Sequence, residues 1–517
     1  MQLDRRRMLA SLGLLGAGAA FARPAFAQPL RDYPFTLGVA AGDPWPNGFV
    51  IWTRLAPQPL QKGGGMPHAV FPVAWEVADD ERFRNVVRKG TADAAPELGH
   101  SVHVELTGLE PARPYWYRFL IDGHASPIGR ARTAPPAMGA VERLRIGVAG
   151  CQNYEHGFYT AYQYMAGEDL DAIFHYGDYI YEGAAGKRSE VPVVREHVGP
   201  EPERIDDYRL RYALYKLDPD LQAAHASTAF MMTFDDHEVD NNWAGDHDQD
   251  GTDPAKFLVR RFSALQAWYE NLPVRAAQLP RNGGIQMYRR LDYGKLLRVH
   301  LLDTRQYRDD QLCDKAGERN CRDPRGLEQG KIMDDREHQW LRDGLDSAFN
   351  WNLIAQQVVV MPYAYREEEA TGKLGLDSWR GYPESRRRLV KAIEEKKPAN
   401  VIIATGDVHQ NMVGYVPARD EEPDRNQVAT EFVCTSISSL GDGQDVKPRN
   451  ADWRSLVAQN PNMLLVNGQR GYHVFTITEG SWRTDIMKVD KVSDHTGRLS
   501  RLASFTVEPG SALASQG

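Results

Sequence analysis

Apolar and polar positions alternate with period two along the early chain, and the rhythm changes near residue 134. Gly48-Phe-Val-Ile-Trp-Thr53, Val70 to Val77, Ser101 to Leu106 and Pro114 to Ile121 are short runs separated by Gly, Pro and Asp turns. Such runs predict strands that each bury one face. Six or seven of them in about 100 residues predict an immunoglobulin-like or fibronectin-like sandwich over residues 28–134. Ala134-Pro135-Pro136-Ala137 then reads as a linker.

Beyond the linker, apolar strands alternate with helical patterns. Strands are expected at Arg143 to Gly150, Asp171 to Tyr176, Ser227 to Phe234, Leu296 to Leu302, Trp351 to Val360, Asn400 to Thr405, Glu431 to Ser436 and Tyr472 to Thr478. Helices are expected at Asp206 to Leu217, Ala255 to Glu270, Asp335 to Ala348 and Glu384 to Lys396. The alternation predicts an α/β catalytic domain over residues 140–485, with a C-terminal extension over 486–517. Functional groups of such domains sit at the carboxyl ends of strands.

The first 27 residues are expected to lie outside the fold. Arg5-Arg6-Arg7 precedes an apolar run from Leu12 to Phe21 and then Ala25-Phe26-Ala27, the layout of a cleaved signal peptide of the twin-arginine type. The run is too short for a stable membrane span, which needs about 20 apolar residues. The expectation is export by the twin-arginine machinery to the periplasm or the medium. A net charge of −8 removes the basic footprint that nucleic acid requires. Of the four cysteines, Cys313 and Cys321 flank a short polar loop and are candidates for a disulfide in an oxidising compartment. Cys434, inside an apolar run, reads as a buried core thiol.

The chemistry lies just past the strands. The first ends Ala149-Gly150-Cys151, the second Gly177-Asp178-Tyr179-Ile180-Tyr181-Glu182, the third Asp235-Asp236-His237-Glu238, and a later one Gly406-Asp407-Val408-His409. Delivered to one edge of the sheet, these carboxylates repel unless a cation neutralises them, which points to a polyvalent metal site. Gly177 permits a sharp turn after which Asp178 can bridge two ions and Tyr181 returns to one of them. A phenolate suits a trivalent ion such as iron(III). Asp407 and His409, at period-two spacing, share one side of an extended chain and can reach different metals.

Gly177-Asp178-Tyr-Ile-Tyr181-Glu182, Asp235-Asp236-His237-Glu238-Val-Asp-Asn-Asn242-Trp243 and Gly406-Asp407-Val-His409 resemble the signature of PhoD-type alkaline phosphatases. Gly38 to Pro44, Ile51 to Leu55, Asp303 to Asp309 and Asp377-Ser-Trp379 match the same family in order. The resemblance implies a calcineurin-like metallophosphatase fold, related to purple acid phosphatases. It implies one iron(III) on Cys151, Asp178, Tyr181 and His409. It also implies one or two calcium ions on Asp178, Asp236 and Asp407, with Asn242 or Gln357 as weaker candidates. Cys151 stands where many relatives carry aspartate, and a soft thiolate favours a transition metal; a structural thiol is its other reading. His237 is expected to act as general acid or electrostatic stabiliser, or as a supporting hydrogen-bond donor. Arg209 matches a phosphate-binding arginine, with Arg211 as the alternative. The implied activity is hydrolysis of small phosphate mono- or diesters by a metal-activated hydroxide, for phosphate scavenging. A phosphodiesterase of phospholipase D type and an inactive extracellular binding module are the alternatives.

Overall fold

In the computed structural model, residues 29–186, 192–311, 329–364, 375–444 and 453–517 are described. The segment expected to be a signal peptide and both Cys313 and Cys321 lie outside them.

Among the described residues, three sheets carry the fold. The largest has ten strands and is built around Leu144–Ala149, Ala172–His175 and Ala229–Met232, three parallel neighbours. A seven-stranded sheet contains Leu297–Leu301, Trp351–Ala355 and Val401–Thr405, again parallel. The two sheets face each other across one core, where Val148, Phe174 and Met231 meet Leu353, Ile402 and Phe432. Helices Thr160–Ala166, Ile205–Lys216, Pro219–Ser227 and Pro254–Asn271 contribute to the core on the outer face of the first sheet, and Asp335–Gly344 and Pro383–Lys396 to that of the second. Because both faces are covered, the central strands read as unbroken apolar runs rather than alternating ones: every residue of Ala172–His175, Ala229–Met232 and Val401–Thr405 is buried. Burying one large apolar side chain in this way contributes about 1.5–3 kcal/mol.

The N-terminal sandwich is present, but it is not sealed off. Its five-stranded sheet, with Phe71–Ala78, Val86–Ala94 and Pro114–Ile121, packs through Val73, Tyr117 and Phe119 on Phe49 and Ile51. Those last residues lie on Gly48–Arg54, which with Val39–Trp45 and Ser101–Glu105 continues the ten-stranded sheet. The join is a parallel pairing of Ala41 with Ala229 and Gly42 with Phe230. Side chains reinforce it: the Trp52 indole donates to the Glu270 carbonyl at 2.9 Å, Arg54 donates to Asn271 at 3.0 Å, and the Lys216 ammonium group lies 4.0 Å over the Trp52 ring. The segment expected as a C-terminal extension is likewise part of the frame. Ser481–Val489, Leu499–Val507 and Ala514–Gln516 add antiparallel strands at the other end of the same sheet. Cys434 is buried, its thiol 3.2 Å from the Val148 carbonyl. Among the described residues no helix is long and apolar enough to cross a membrane.

Candidate metal centre

Cys151, Asp178 and Asp236 follow three adjacent parallel strands, so they leave the same edge of the ten-stranded sheet. Asp407 and His409 follow Val401–Thr405, which belongs to the opposing sheet. The single sheet edge expected from the sequence is therefore the shared edge of two sheets. Glycines let the layers close on each other: a Cβ on Gly150 or Gly406 would stand 2.3 Å or 2.0 Å from the Tyr176 ring, whose hydroxyl donates to the Thr435 carbonyl at 2.8 Å. Backbone strain marks the same loops. Cys151, Asp178, Asp407 and His409 all have positive φ, at 51°, 56°, 69° and 54°. Each such residue costs on the order of 1–3 kcal/mol, and clusters of them accompany functional sites. The segment carrying Asp407 and His409 is thus a tight turn, not the extended chain expected.

The donor atoms fall into linked sets. The Cys151 thiol is 3.3 Å from Asp178 Oδ2, and the Tyr181 hydroxyl is 2.9 Å from the same oxygen and 3.0 Å from His409 Nε2. Cys151, Asp178 and His409 present ligand atoms within 4.8 Å of one another, as do Asp178, Asp236 and His237, and Asp235, Asp236 and Asp407. Asp178 belongs to two sets, and Asp407 and His409 to different ones. His237 stacks on Tyr181, ring centres 4.0 Å apart, with its Nδ1 2.6 Å from Glu182.

Burial and mutual repulsion dominate the electrostatics of the site. Burial pushes Asp178 well above the usual carboxylate range; His237 opposes this, but Asp236 and Asp235 add to it. Asp407 is raised by burial and then by Asp235, Asp377 and Asp236. Burial raises the Cys151 thiol and the Tyr181 phenol, and Asp178 raises both further. Asp236 alone is held far down, because His237 and Arg305 outweigh its burial. The Asp235 Oδ2 atom is buried with no hydrogen-bond partner. A thiol, a phenol, an imidazole and crowded carboxylates in a dry site fit cations well, since one cation compensates all of them at once.

Burial also raises two supporting acids, Glu238 to about 8 and Glu431 to about 7, from an ordinary 4.5. Both keep a proton in the native state that the unfolded chain has already released. Their contribution to stability is present below the unfolded value and is lost as pH rises through about 7–8. The melting temperature of metal-free protein should therefore fall between about pH 7 and about pH 8, above the range in which the buried histidines His103, His175, His300 and His473, lowered by burial, give the opposite slope, and added cations should flatten the fall. A rise across that interval would contradict this assignment.

Several groups around the site had no reading in the sequence. Glu238 accepts from the backbone N–H groups of Asp178 (3.1 Å), Tyr179 (2.7 Å) and Asp235 (2.9 Å), tying two ligand loops together. Arg305, fully buried, donates to Asp235 at 2.5 Å and in two-pronged fashion to Asp377 at 2.9 and 3.0 Å. It also stands 3.8 Å from Asp236 and 3.7 Å from Asp407. Conversely, the Arg209 guanidinium is committed elsewhere, to Glu270 at 2.6 Å, Asp206 at 3.3 Å and the Glu97 carbonyl at 3.0 Å. It ties its helix to Pro254–Asn271 and to the N-terminal sandwich. Arg211 holds the carbonyls of Tyr181, Gly183 and Pro200 and is buried behind the loop. Gln357 accepts from the Thr304 hydroxyl at 2.6 Å and donates to the Leu302 carbonyl at 3.0 Å. Asn242 stays close, its backbone N–H donating to Asp236 Oδ2 at 2.7 Å.

A helix-flanked double sheet with such a donor set at its shared edge defines a metallophosphatase-type hydrolase of phosphoric esters. Residues 146–486 match the family model for PhoD-like phosphatase, and residues 20–135 match the model for its N-terminal domain. The chain belongs to the PhoD-like phosphatase family. It is 42% identical over 501 residues to alkaline phosphatase D of Bacillus subtilis (strain 168), covering 96% of this chain and 85% of that protein. A solved structure of PhoD superposes with a TM-score of 0.88 at 40% identity, covering 95% of this chain and 93% of that one. The fold and family expected from the motifs are both borne out.

Proposed function

We propose that this chain is an exported phosphatase of phosphate mono- and diesters, serving phosphate scavenging, with iron(III) and calcium as its cations. The observation that carries the reading is the division of donor types around Asp178. On one side stand Cys151, Tyr181 and His409, a soft and phenolic set suited to iron(III). On the other stand Asp236 and Asp407, all-oxygen donors suited to calcium. When bound, the cations supply Lewis acidity and make a nucleophile available from water at working pH.

The chain's own groups do the rest. Asp178, grouped with Cys151 and His409 on one side and with Asp236 on the other, would contribute to both halves of the site. His237 is held at Nδ1 by Glu182; burial opposes its charge, but Asp236, Glu182 and Asp178 outweigh burial and raise its pKa well above the ordinary value. A protonated imidazole there can neutralise the departing alkoxide or hand it a proton. The export part of the proposal rests on Arg5 to Ala27. Hydrolysis of p-nitrophenyl phosphate tests the reading: dialysis against a chelator should abolish it, and added calcium should restore it to protein that has kept its iron. Undiminished hydrolysis by fully demetallated protein would reject it.

A further inference from the structure

We infer that Ser439 is a positioning residue for the tyrosine and cysteine of the iron half of the site, an inference that rests on the proposed cation reading. Ser439 is fully buried on the loop after Gln427–Val433 and belongs to none of the ligand motifs. Its hydroxyl oxygen lies 2.7 Å from the Tyr181 hydroxyl and 2.6 Å from the Cys151 carbonyl, and accepts from the Asn153 N–H at 2.9 Å. Its own N–H donates to the Cys151 carbonyl at 3.2 Å, and Ile437 donates to the Gly150 carbonyl at 3.0 Å. The loop is anchored in turn by Arg470, which donates to the Ser439 carbonyl at 2.8 Å. The left-handed backbone at Cys151 is thus laced in place by a loop distant in sequence.

The hydroxyl has one proton and two neighbours that can accept it. While Tyr181 keeps its own proton, the Cys151 carbonyl is the better acceptor. With a cation on Tyr181 the phenolic oxygen is anionic, and a charge-assisted bond from Ser439 becomes the stronger choice. That bond draws electron density from the phenolate and steadies the ring against His409 and Asp178. Outer partners of this kind are worth about 10–100-fold in metal affinity.

The test uses iron-loaded full-length protein and reads the visible tyrosine-to-iron absorption band together with iron retention during chelator challenge. Ser439→Ala should move the band to longer wavelength and weaken iron retention by about 10–100-fold. Ser439→Thr, which keeps the hydroxyl, should resemble the unmodified protein, and Ser439→Cys, a weaker donor of similar size, should fall between. Ser438→Ala breaks the neighbouring 2.8 Å bond to the Asn153 carbonyl without touching Tyr181, and should leave the band in place. If Ser439→Ala does not fold, the Cys variant carries the test. An unchanged band and unchanged iron retention in the Ala and Cys variants, or an equal shift in Ser438→Ala, overturns the inference. Unmodified protein whose visible spectrum does not change with Tyr181→Phe overturns the cation reading itself, and this inference with it.

Discussion

Replacing Asp178 by asparagine should lower kcat/KM for a phosphate monoester by about a thousandfold while the metal-free protein becomes more stable. The first effect follows from the shared position. An amide offers one neutral oxygen where the carboxylate offers two anionic ones, so it cannot serve the thiol–phenol side and the carboxylate side together. The second follows from burial and the crowding by Asp236 and Asp235, which make the charge on Asp178 costly when no cation is present. A residue that merely braced the fold would show both quantities falling together. Steady-state kinetics and thermal denaturation of demetallated protein separate the two cases. Loss of activity by less than about tenfold would place Asp178 outside the chemistry.

Arg305→Met should have the largest effect on stability, about 3–5 kcal/mol in chemical denaturation. Methionine fills much of the same length but leaves Asp235 buried without its cationic partner and Asp377 with Arg308 alone. The guanidinium also faces Asp236 and Asp407 from behind, so its loss should weaken the carboxylate side of the site more than the cysteine side. Adding Asp235→Asn to Arg305→Met should recover part of the loss, because it removes one orphaned charge. A cost below about 1 kcal/mol would mean that Asp235 is already neutral.

Much of this was legible because the chemistry is local in sequence. Each strand and its ligands occupy a few consecutive residues, and the Gly-Asp steps announce where a strand must turn. Several strand ends moved by only a residue or two, as where Asn400 to Thr405 was expected and Val401–Thr405 is found; others moved further, Trp351 to Val360 shortening to Trp351–Ala355 and Glu431 to Ser436 becoming Gln427–Val433. What stayed hidden depends on pairings between distant segments. Nothing near Ala41 announces its parallel partner Ala229, so the N-terminal sandwich reads as separate when its sheet is continuous with the catalytic one. Helical periodicity places Arg209 and Arg211 on different sides of Ile205–Lys216, but not which neighbour each side meets; Glu270 captured the first and backbone carbonyls the second. Glu238 was visible as a letter in a motif, while its work as an acceptor for three backbone N–H groups needed the fold. Ser439 left no trace in the pattern at all.

The most direct check of the central claim is elemental analysis of the purified protein, with Tyr181→Phe and Asp407→Asn beside it. Iron and calcium should be found together in the parent chain, with iron depleted by Tyr181→Phe and calcium by Asp407→Asn. Equal depletion of both metals by both variants would contradict the division of donors, and a parent chain carrying neither metal yet hydrolysing phosphate esters at full rate would contradict the metal centre altogether.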